Sequence, residues 1–422
     1  MYLTRRQSLA AAGITALAGA LAACGSGDSS AGSSDAVELT LAISESADSE
    51  IRKQFETIAA DFAAANSGIT VKLAPASTNY EADMKVKMAA NDLPDIFATH
   101  GWSVKRYSEF LTPLTDESWA ADVNELLDSS MRDENGDLFA FPTQLDLVGL
   151  MYNEDVLSAA GVDPASLSTW NDFSAACDKI VANGTAGIYA YAKDAGYPGN
   201  LANLAAYAFY GQNDLDGLLE GTFSDKAWKG LAGLISGWAE AGYFNKDYTS
   251  ATVDDCAKAL AQGDTGFALV NNTVAMNAMS YNPDAKIGYV TLPGGGEVAP
   301  YLVGGEGQTA LGVAASGHVD EAKKFLEYLA QPEVAAKLVS GLGNPSGLTT
   351  VEAELGPLTE SYEAVNASGA ELLPYFDRSY MPNGMWSTMC TAVDSLVTGQ
   401  GTVDSTTDQV RAEFENLYGQ SA

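Results

Sequence analysis

The stretch Phe139-Ala-Phe-Pro-Thr-Gln-Leu-Asp-Leu-Val-Gly-Leu-Met-Tyr-Asn153 decides how the chain folds. Pro142 prevents a continuous helix here and removes one backbone donor. Alternation of side chains predicts a strand with two faces. One face carries Leu145, Leu147, Gly149 and Met151, and the other carries Asp146, Val148, Leu150 and Tyr152. Asp146 is the only charge in this run. It belongs either at an exposed edge or, as we interpret it, at a cleft where the strand crosses between two lobes.

Strands and helices alternate on both sides of this stretch. The predicted strands cover residues 37–43, 69–73, 93–99, 187–192, 265–270, 287–292 and 309–314. A Gly-rich segment, 294–306, returns the chain to the first lobe, and the tail beyond residue 348 is predicted to be helical. Such alternation favours a mostly parallel sheet, in which ligands bind beyond the carboxyl ends of the strands.

The N-terminus predicts export and lipidation. Two arginines are followed by an apolar run, residues 9–23, which is too short to span a bilayer as a helix. The run ends in Leu21-Ala-Ala-Cys24, which fits a bacterial lipobox with Cys24 as the lipidated residue. Residues 1–23 are then a lipoprotein signal peptide and 24–36 a flexible tether. We expect an exported protein that is lipid-anchored at the extracellular face of the cytoplasmic membrane, with Sec and twin-arginine export both open.

The chain of 422 residues is strongly acidic, with a net charge of −33. Removal of residues 1–23, which hold two Arg and no acid, changes the charge to −35. Such a surface repels nucleic acid and favours neutral or cationic ligands, but solubility outside the cell is the explanation that we favour for it. Hydrophobic residues make up 46%, which is enough for packed cores, and the length predicts two domains or one large one.

Motifs for catalysis or metal binding are absent from the sequence. It contains no GxSxG, HExxH, Walker or CxxC pattern and only two histidines. We therefore predict no catalytic residue, cofactor or metal. Three cysteines remain after Cys24. Cys177 and Cys256 lie in helical patterns as small hydrophobes, while a Cys256–Cys390 or Cys177–Cys256 bridge stays open.

Two of the six tryptophans are candidates for ligand contact. Trp228 and Trp238 have core spacing on one predicted helix. Trp102 and Trp386 instead follow or lie near glycines in predicted loops. An exposed loop tryptophan can stack on the C–H face of a sugar ring, and the alternative is a side chain folded onto its own lobe.

Four stretches resemble the maltose-binding-like family 1 of extracellular solute-binding proteins, which serve ATP-binding-cassette sugar importers. The first is Asn91-Asp-Leu-Pro-Asp-Ile-Phe97, and the last is the turn Gly341–Pro345. The second is a block made of Phe141-Pro142, Tyr152-Asn-Glu-Asp-Val-Leu157, Ala160-Gly-Val162 and Thr169-Trp-Asn-Asp-Phe173. The third consists of Gly304-Gly305, Leu311-Gly-Val313 and Glu321–Leu329. Together with the lipobox, they cover most of the chain.

The resemblance implies an α/β fold similar to type II periplasmic binding proteins. In such a fold two discontinuous lobes are joined by hinge strands and enclose a ligand cleft. The expected boundaries are 37–143 and 305–345 for lobe 1, and 144–304 and 346–422 for lobe 2.

Strand-end positions and the resemblance together suggest the ligand-binding residues. They are Glu45, His100, Trp102, Asp146, Asn271, Gly305, Glu306 and Trp386. The chain departs from the family pattern at Ser44-Glu45, where Trp or His is common, and in the run Gly304–Gly307. These departures leave the sugar unidentified.

The resemblance implies a binding protein and not an enzyme. Its ligand would be a carbohydrate, expected to be an oligosaccharide, and its partners the membrane permease subunits of the importer, with no nucleic acid. The acidic charge keeps open a second hypothesis, a binding protein for a cationic molecule such as a polyamine. A third is a secreted carbohydrate-active enzyme, which would need a close pair of carboxylates.

Overall fold

The computed structural model describes residues 36–421 except 48, 78, 100–106, 195, 308, 353 and 354. The predicted signal peptide, Cys24 and the tether up to residue 35 lie outside the described residues, as do His100 and Trp102. The strands are β1 (Val37–Ala42), β2 (Ile69–Leu73), β3 (Ile96–Ala98), β4 (Leu145–Val148), β5 (Leu150–Asn153), β6 (Ala186–Ile188), β7 (Thr265–Ala268), β8 (Ile287–Val290), β9 (Tyr301–Glu306), β10 (Leu311–Val313) and β11 (Glu371–Pro374).

Helices connect most of these strands. Their bounds are Glu50–Ala65, Tyr80–Ala90, Asp128–Met131, Glu154–Ala159, Trp170–Ala182, Tyr197–Ala205, Gln212–Leu219, Asp225–Glu240, Val253–Gln262, Asn272–Tyr281, Val319–Leu329, Pro332–Val339, Thr359–Ala367, Phe376–Tyr380, Met385–Val397 and Val403–Ser421. The predicted cap at Thr169 is confirmed, because its hydroxyl accepts from the Asp172 amide at 3.2 Å while the Asp172 carboxylate accepts from the Thr169 amide at 2.9 Å. Among the described helices, none is both long and apolar enough to cross a membrane.

The first sheet has the strand order β10-β3-β1-β2. Its three N-terminal strands are parallel, and β10 pairs with β3 in the antiparallel sense. Leu39 and Leu41 of β1 are fully buried, as the alternation at residues 37–43 predicts. This sheet therefore combines the start of the chain with a strand that follows the Gly-rich return.

The second sheet has the order β6-β7-β5-β8. Here the prediction of mostly parallel pairing is wrong, because β5 runs antiparallel to both β7 and β8, and only β6 and β7 are parallel. The helix Asp225–Glu240 packs Trp228 and Trp238 in the core, each 1% exposed, which confirms their predicted role. Trp238 lies 5.4 Å from the ring of Phe173.

The third sheet has the strand order β11-β9-β4. The sequence pattern did not predict this sheet. β9 pairs antiparallel with β4 and parallel with β11. β9 falls within the Gly-rich return, and β11 interrupts the tail that was predicted to be helical. The chain passes from β4 into the second sheet through β5, and from β9 into the first sheet through β10. These crossings give the expected fold, an α/β architecture of two discontinuous lobes joined by strands, while the exact lobe boundaries remain a prediction.

Gly149 divides the stretch that was predicted to be one strand. β4 ends before it and β5 begins after it, in a different sheet. A Cβ atom on Gly149 would lie 2.2 Å from the Val290 carbonyl oxygen, so the change of sheet requires a residue without a side chain. The prediction of a single alternating strand over residues 145–153 is therefore wrong.

The three described cysteines are free thiols. Cys177 and Cys256 are fully buried in helices, as predicted for small hydrophobic residues, and neither of the two bridges left open by the sequence forms. Burial raises the pKa of the Cys390 thiol to about 11, so this partly buried group is protonated at neutral pH.

Candidate functional site

The candidate site is built on the third sheet, where three distant parts of the chain meet. The register of β4 and β9 places Asp146 opposite Gly305 and Leu145 opposite Glu306. On the other side of β9, β11 leads into the segment that carries Tyr375 and Arg378. A Cβ atom on Gly304 would lie 2.0 Å from the Asp146 carbonyl oxygen, so glycine is required for β4 and β9 to approach.

Asp146 presents a carboxylate that is only partly satisfied. Its Oδ2 accepts a 2.6 Å hydrogen bond from the Tyr375 hydroxyl. Its Oδ1 is shielded from solvent and has no hydrogen-bond partner among the described residues. Burial raises the pKa of Asp146, while the Tyr375 hydrogen bond, the charge of Arg378 and the Asn271 side chain oppose the shift. The side chain is therefore a strong acceptor that lacks a full set of donors.

Glu306 supplies a second buried carboxylate, with its side chain 3% exposed. Its Oε1 lies 3.7 Å from Nη1 of Arg378, too long for a hydrogen bond, and its Oε2 has no partner among the described residues. Burial raises the pKa of Glu306, the charge of Arg378 and the Ser130 side chain lower it, and the nearby Asp146 raises it. Two acids and one cation thus share the site.

Arg378 lies over an aromatic ring at the same point. Its guanidinium carbon is 4.2 Å from the centroid of Tyr375, a cation–π contact that orients the planar group. The Nη1 atom of Arg378 is buried without a hydrogen-bond partner in the described part of the chain. The site consequently contains an unpaired donor beside unpaired acceptors.

A buried amide fixes the segment that carries Tyr375 and Arg378. Asn203 donates to the Asp377 carboxylate at 2.7 Å and accepts from the Asp377 amide at 2.9 Å. Tyr207 adds a 2.6 Å hydrogen bond from its hydroxyl to the Pro374 carbonyl oxygen. These contacts anchor both ends of the short turn into the helix Phe376–Tyr380, so the side chains of Tyr375 and Arg378 have defined positions.

Of the other predicted ligand residues, the structure brings Asn271 to this cluster. Its backbone forms an antiparallel bridge with Val148 of the strand that carries Asp146. Asn271 is the residue before the helix Asn272–Tyr281, but its side chain does not cap that helix. Glu45 follows β1 and is partly buried, and burial raises its pKa. No hydrogen bond or ion pair among the described residues joins Glu45 to Asp146 or Glu306.

Trp386 lies in a helix and not in the predicted loop. It occupies the first turn of the helix Met385–Val397 and is half-buried. Cβ atoms on Gly196 and Gly199 would lie 3.2 Å and 3.0 Å from its indole, so the ring packs closely on these two glycines. Its assignment as a stacking residue stays a prediction, as do those of His100 and Trp102, which lie outside the described residues.

Tyr375 and Arg378 are the residues of the candidate site that the sequence pattern missed. They reach Asp146 and Glu306 only because β11 pairs with β9, a contact between segments about seventy residues apart. One signal was available. The run Pro374-Tyr-Phe-Asp-Arg378 places aromatic residues and a rare cation directly after a proline in a chain with 22 basic and 55 acidic residues.

The arrangement is suited to a neutral ligand that both donates and accepts hydrogen bonds. Carboxylate oxygens accept, a guanidinium donates in a planar fork, and charge-assisted bonds are the stronger ones. A buried polar atom without a partner is rare in proteins, so several together at one point indicate a binding site. Within the described residues, no group of His, Cys, Asp or Glu could hold a metal ion.

Comparison with known proteins matches residues 47–336 to the family described as bacterial extracellular solute-binding protein. The melibiose/raffinose/stachyose-binding protein MelE of Bacillus subtilis (strain 168) is 31% identical over 401 residues, which cover 92% of this chain and 92% of MelE. The crystal structure of the binding protein MsmE from Bacillus subtilis, in an open conformation, is 30% identical with a TM-score of 0.80, over 91% of this chain and 98% of that one. A Bacillus licheniformis sugar transporter in complex with stachyose is 29% identical with a TM-score of 0.79, over 90% of this chain and 100% of that one.

Proposed function

The chain belongs to the bacterial extracellular solute-binding proteins, and from that premise we propose that it binds an oligosaccharide for an ATP-binding-cassette importer. Its family and relatives are solute-binding proteins and not enzymes, so the hypothesis of a carbohydrate-active enzyme is set aside. The proposed ligand class follows from the names of the relatives, which bind melibiose, raffinose and stachyose in one case and were crystallised with stachyose in another.

One observation carries the proposal: Asp146, Glu306 and Arg378 converge with buried polar atoms that have no protein partner. A sugar hydroxyl donates to a carboxylate and accepts from a guanidinium at the same time, which satisfies both kinds of atom. We assign Asp146 and Glu306 as hydroxyl acceptors and Arg378 as the donor. Asn271 and Gly305 are adjacent to Asp146, and Glu45, His100, Trp102 and Trp386 are proposed to complete the site.

Arg378 argues against the hypothesis of a cationic ligand. A polyamine is bound by carboxylates that are free of competing cations, whereas this guanidinium lies 3.7 Å from Glu306 and also acts electrostatically on Asp146. A second cation brought to the same point would be repelled. The acidic surface is then a property of the exterior and not of the site.

The anchor and the transport partner form part of the same proposal. The lipobox Leu21-Ala-Ala-Cys24 supports attachment through acyl chains at Cys24 on the extracellular face of the cytoplasmic membrane. Strands that join two lobes support closure around the sugar by a hinge motion, and the closed form would be the one that the permease subunits recognise.

Isothermal titration calorimetry of the exported protein tests this function. The ligand panel is melibiose, raffinose, stachyose, a maltose series, spermidine and an amino-acid mixture. We expect saturable binding to at least one oligosaccharide and no consumption of it over hours. Tight binding of spermidine with no response to any sugar would overturn the proposal.

A further inference from the structure

Three buried side-chain amides lie beside the charged cluster. Gln144, Asn272 and Asn344 are 8%, 0% and 2% exposed. Oε1 of Gln144, Oδ1 of Asn272 and both Oδ1 and Nδ2 of Asn344 lack a hydrogen-bond partner in the part of the chain that the structure describes. An unpaired buried polar atom is destabilising and rare in proteins, so four in one neighbourhood require an explanation.

Backbone contacts bring the three amides to one place. Nδ2 of Asn272 donates to the Gly343 carbonyl oxygen at 2.8 Å, and the Leu145 amide donates to the Pro345 carbonyl oxygen at 2.9 Å. Asn344 is therefore held between two anchored residues. Gln144 directly precedes β4, and its own carbonyl oxygen accepts from the Gly307 amide at 3.2 Å.

The amides continue the row of unpaired atoms that crosses the third sheet. The turn at Asn344 borders β4, β4 borders β9, and β9 borders β11 with its continuation to Arg378. Each of these segments contributes at least one unpaired buried atom. Three steps between neighbouring strands span about 14 Å. That length exceeds a single sugar ring and suits a chain of about three.

We propose that Gln144, Asn272 and Asn344 form an uncharged subsite that binds the sugar unit farthest from Arg378 and so favours trisaccharides and longer chains. The inference rests on the proposed function. Amide groups accept and donate without a charge, which fits the hydroxyls of a neutral sugar and gives no advantage to a cation. The charged cluster alone holds the first units of the ligand.

The test compares ligands of increasing length on the wild type and on Asn344→Leu, which keeps the side-chain volume and removes both hydrogen-bonding atoms. Calorimetry with melibiose, raffinose and stachyose measures binding of a di-, tri- and tetrasaccharide. We expect the variant to bind raffinose and stachyose about tenfold more weakly or worse, and melibiose within twofold of the wild type. Asn366→Leu, a change at an exposed helical position, is the matched control and should alter none of these affinities.

Three results would overturn the inference. They are equal losses for all three sugars, no loss for any sugar, and a wild type with the same affinity for every length. If Asn344→Leu does not fold, as judged by its melting transition, Gln144→Met tests the same subsite with the same expectation. A wild type that binds no sugar at all would refute the proposed function itself, whereas each of the other outcomes refutes only the subsite.

Discussion

The Tyr375 hydroxyl donates to Oδ2 of Asp146 at 2.6 Å, although the two residues are separated by 229 positions in the sequence. The same tyrosine supports the Arg378 guanidinium with its ring. One side chain therefore sets the position of an acid through its hydroxyl and the position of a cation through its aromatic face.

Asp146→Asn should weaken oligosaccharide binding by about ten- to a hundredfold, because a charge-assisted hydrogen bond is worth about 1.5–3 kcal/mol. Asn keeps the shape of the side chain, still accepts from Tyr375 and removes a buried charge, so the melting temperature should not fall. Calorimetry and thermal denaturation of the same preparation measure both quantities. A large loss of stability with unchanged affinity would show that Asp146 is structural.

The pH dependences of stability and binding should have opposite signs. Burial raises the pKa of Asp146 above 3.8 and that of Glu306 above 4.5. The folded chain therefore binds these protons more readily than the unfolded chain, and stability without ligand falls as the pH rises from those values through the raised pKa values. Binding needs the ionised carboxylates, so affinity falls as the pH drops through the same window.

Denaturant unfolding measures the stability, and calorimetric sugar titration measures the affinity, at a series of pH values between pH 4 and pH 8. In Asp146→Asn, the contribution of Asp146 to the pH dependence of stability and to the pH dependence of affinity should disappear, while the contribution of Glu306 remains. Affinity that stays constant across the window in the wild type would show that neither carboxylate contacts the ligand.

Arg378→Met should destabilise the protein by about 1–3 kcal/mol at pH 7, because it leaves Glu306 buried without its partner. Protonation of Glu306 relieves this penalty, so the loss should shrink at pH 5. Arg411→Met is the matched control, since Arg411 is 32% exposed against 31% for Arg378 but pairs with the more accessible Asp225 and Asp408. We expect a much smaller and pH-independent loss from Arg411→Met, because ion pairs with exposed partners contribute little to stability.

Urea unfolding of both variants at the two pH values gives the free energies. Equal losses in Arg378→Met and Arg411→Met, independent of pH, would contradict an electrostatic role for Arg378 in the site.

Gly304→Ala should disrupt the third sheet, because the added methyl would lie 2.0 Å from the Asp146 carbonyl oxygen. Sugar binding should be lost together with several kcal/mol of stability, as expected when backbone has to move. Gly233→Ala is the control: this helical glycine is exposed, and a Cβ atom there would meet nothing within 4 Å. It should stabilise the protein by up to about 1 kcal/mol. Binding in Gly304→Ala that equals the wild type would refute the close approach of the two strands.

Local sequence pattern was sufficient for the elements that depend on near neighbours. The first two strands, the capped helix at Thr169 and the buried tryptophans of one helix follow from alternation, capping chemistry and helical spacing. Asp146 was identifiable because a single charge in an apolar strand needs a reason.

The remainder depends on contacts that a local pattern does not encode. The break at Gly149 arises from the approach of Val290, which is distant in sequence. Arg378 reaches the candidate site only through the pairing of β11 with β9, and its short helix has no distinctive periodicity. Trp386 follows a glycine, which suggested a loop, but Gly384 is the residue that immediately precedes the helix.

The separation in sequence between Asp146 and Tyr375 has a consequence for the order of folding. β4, β9 and β11 cannot assemble until residue 374 has been synthesised, because contacts between distant segments require the intervening loops to close first. A partly made chain thus lacks the sheet that holds Asp146, Glu306 and Arg378. If the chain binds sugar as proposed, the ligand can stabilise only a molecule that has been completed through β11.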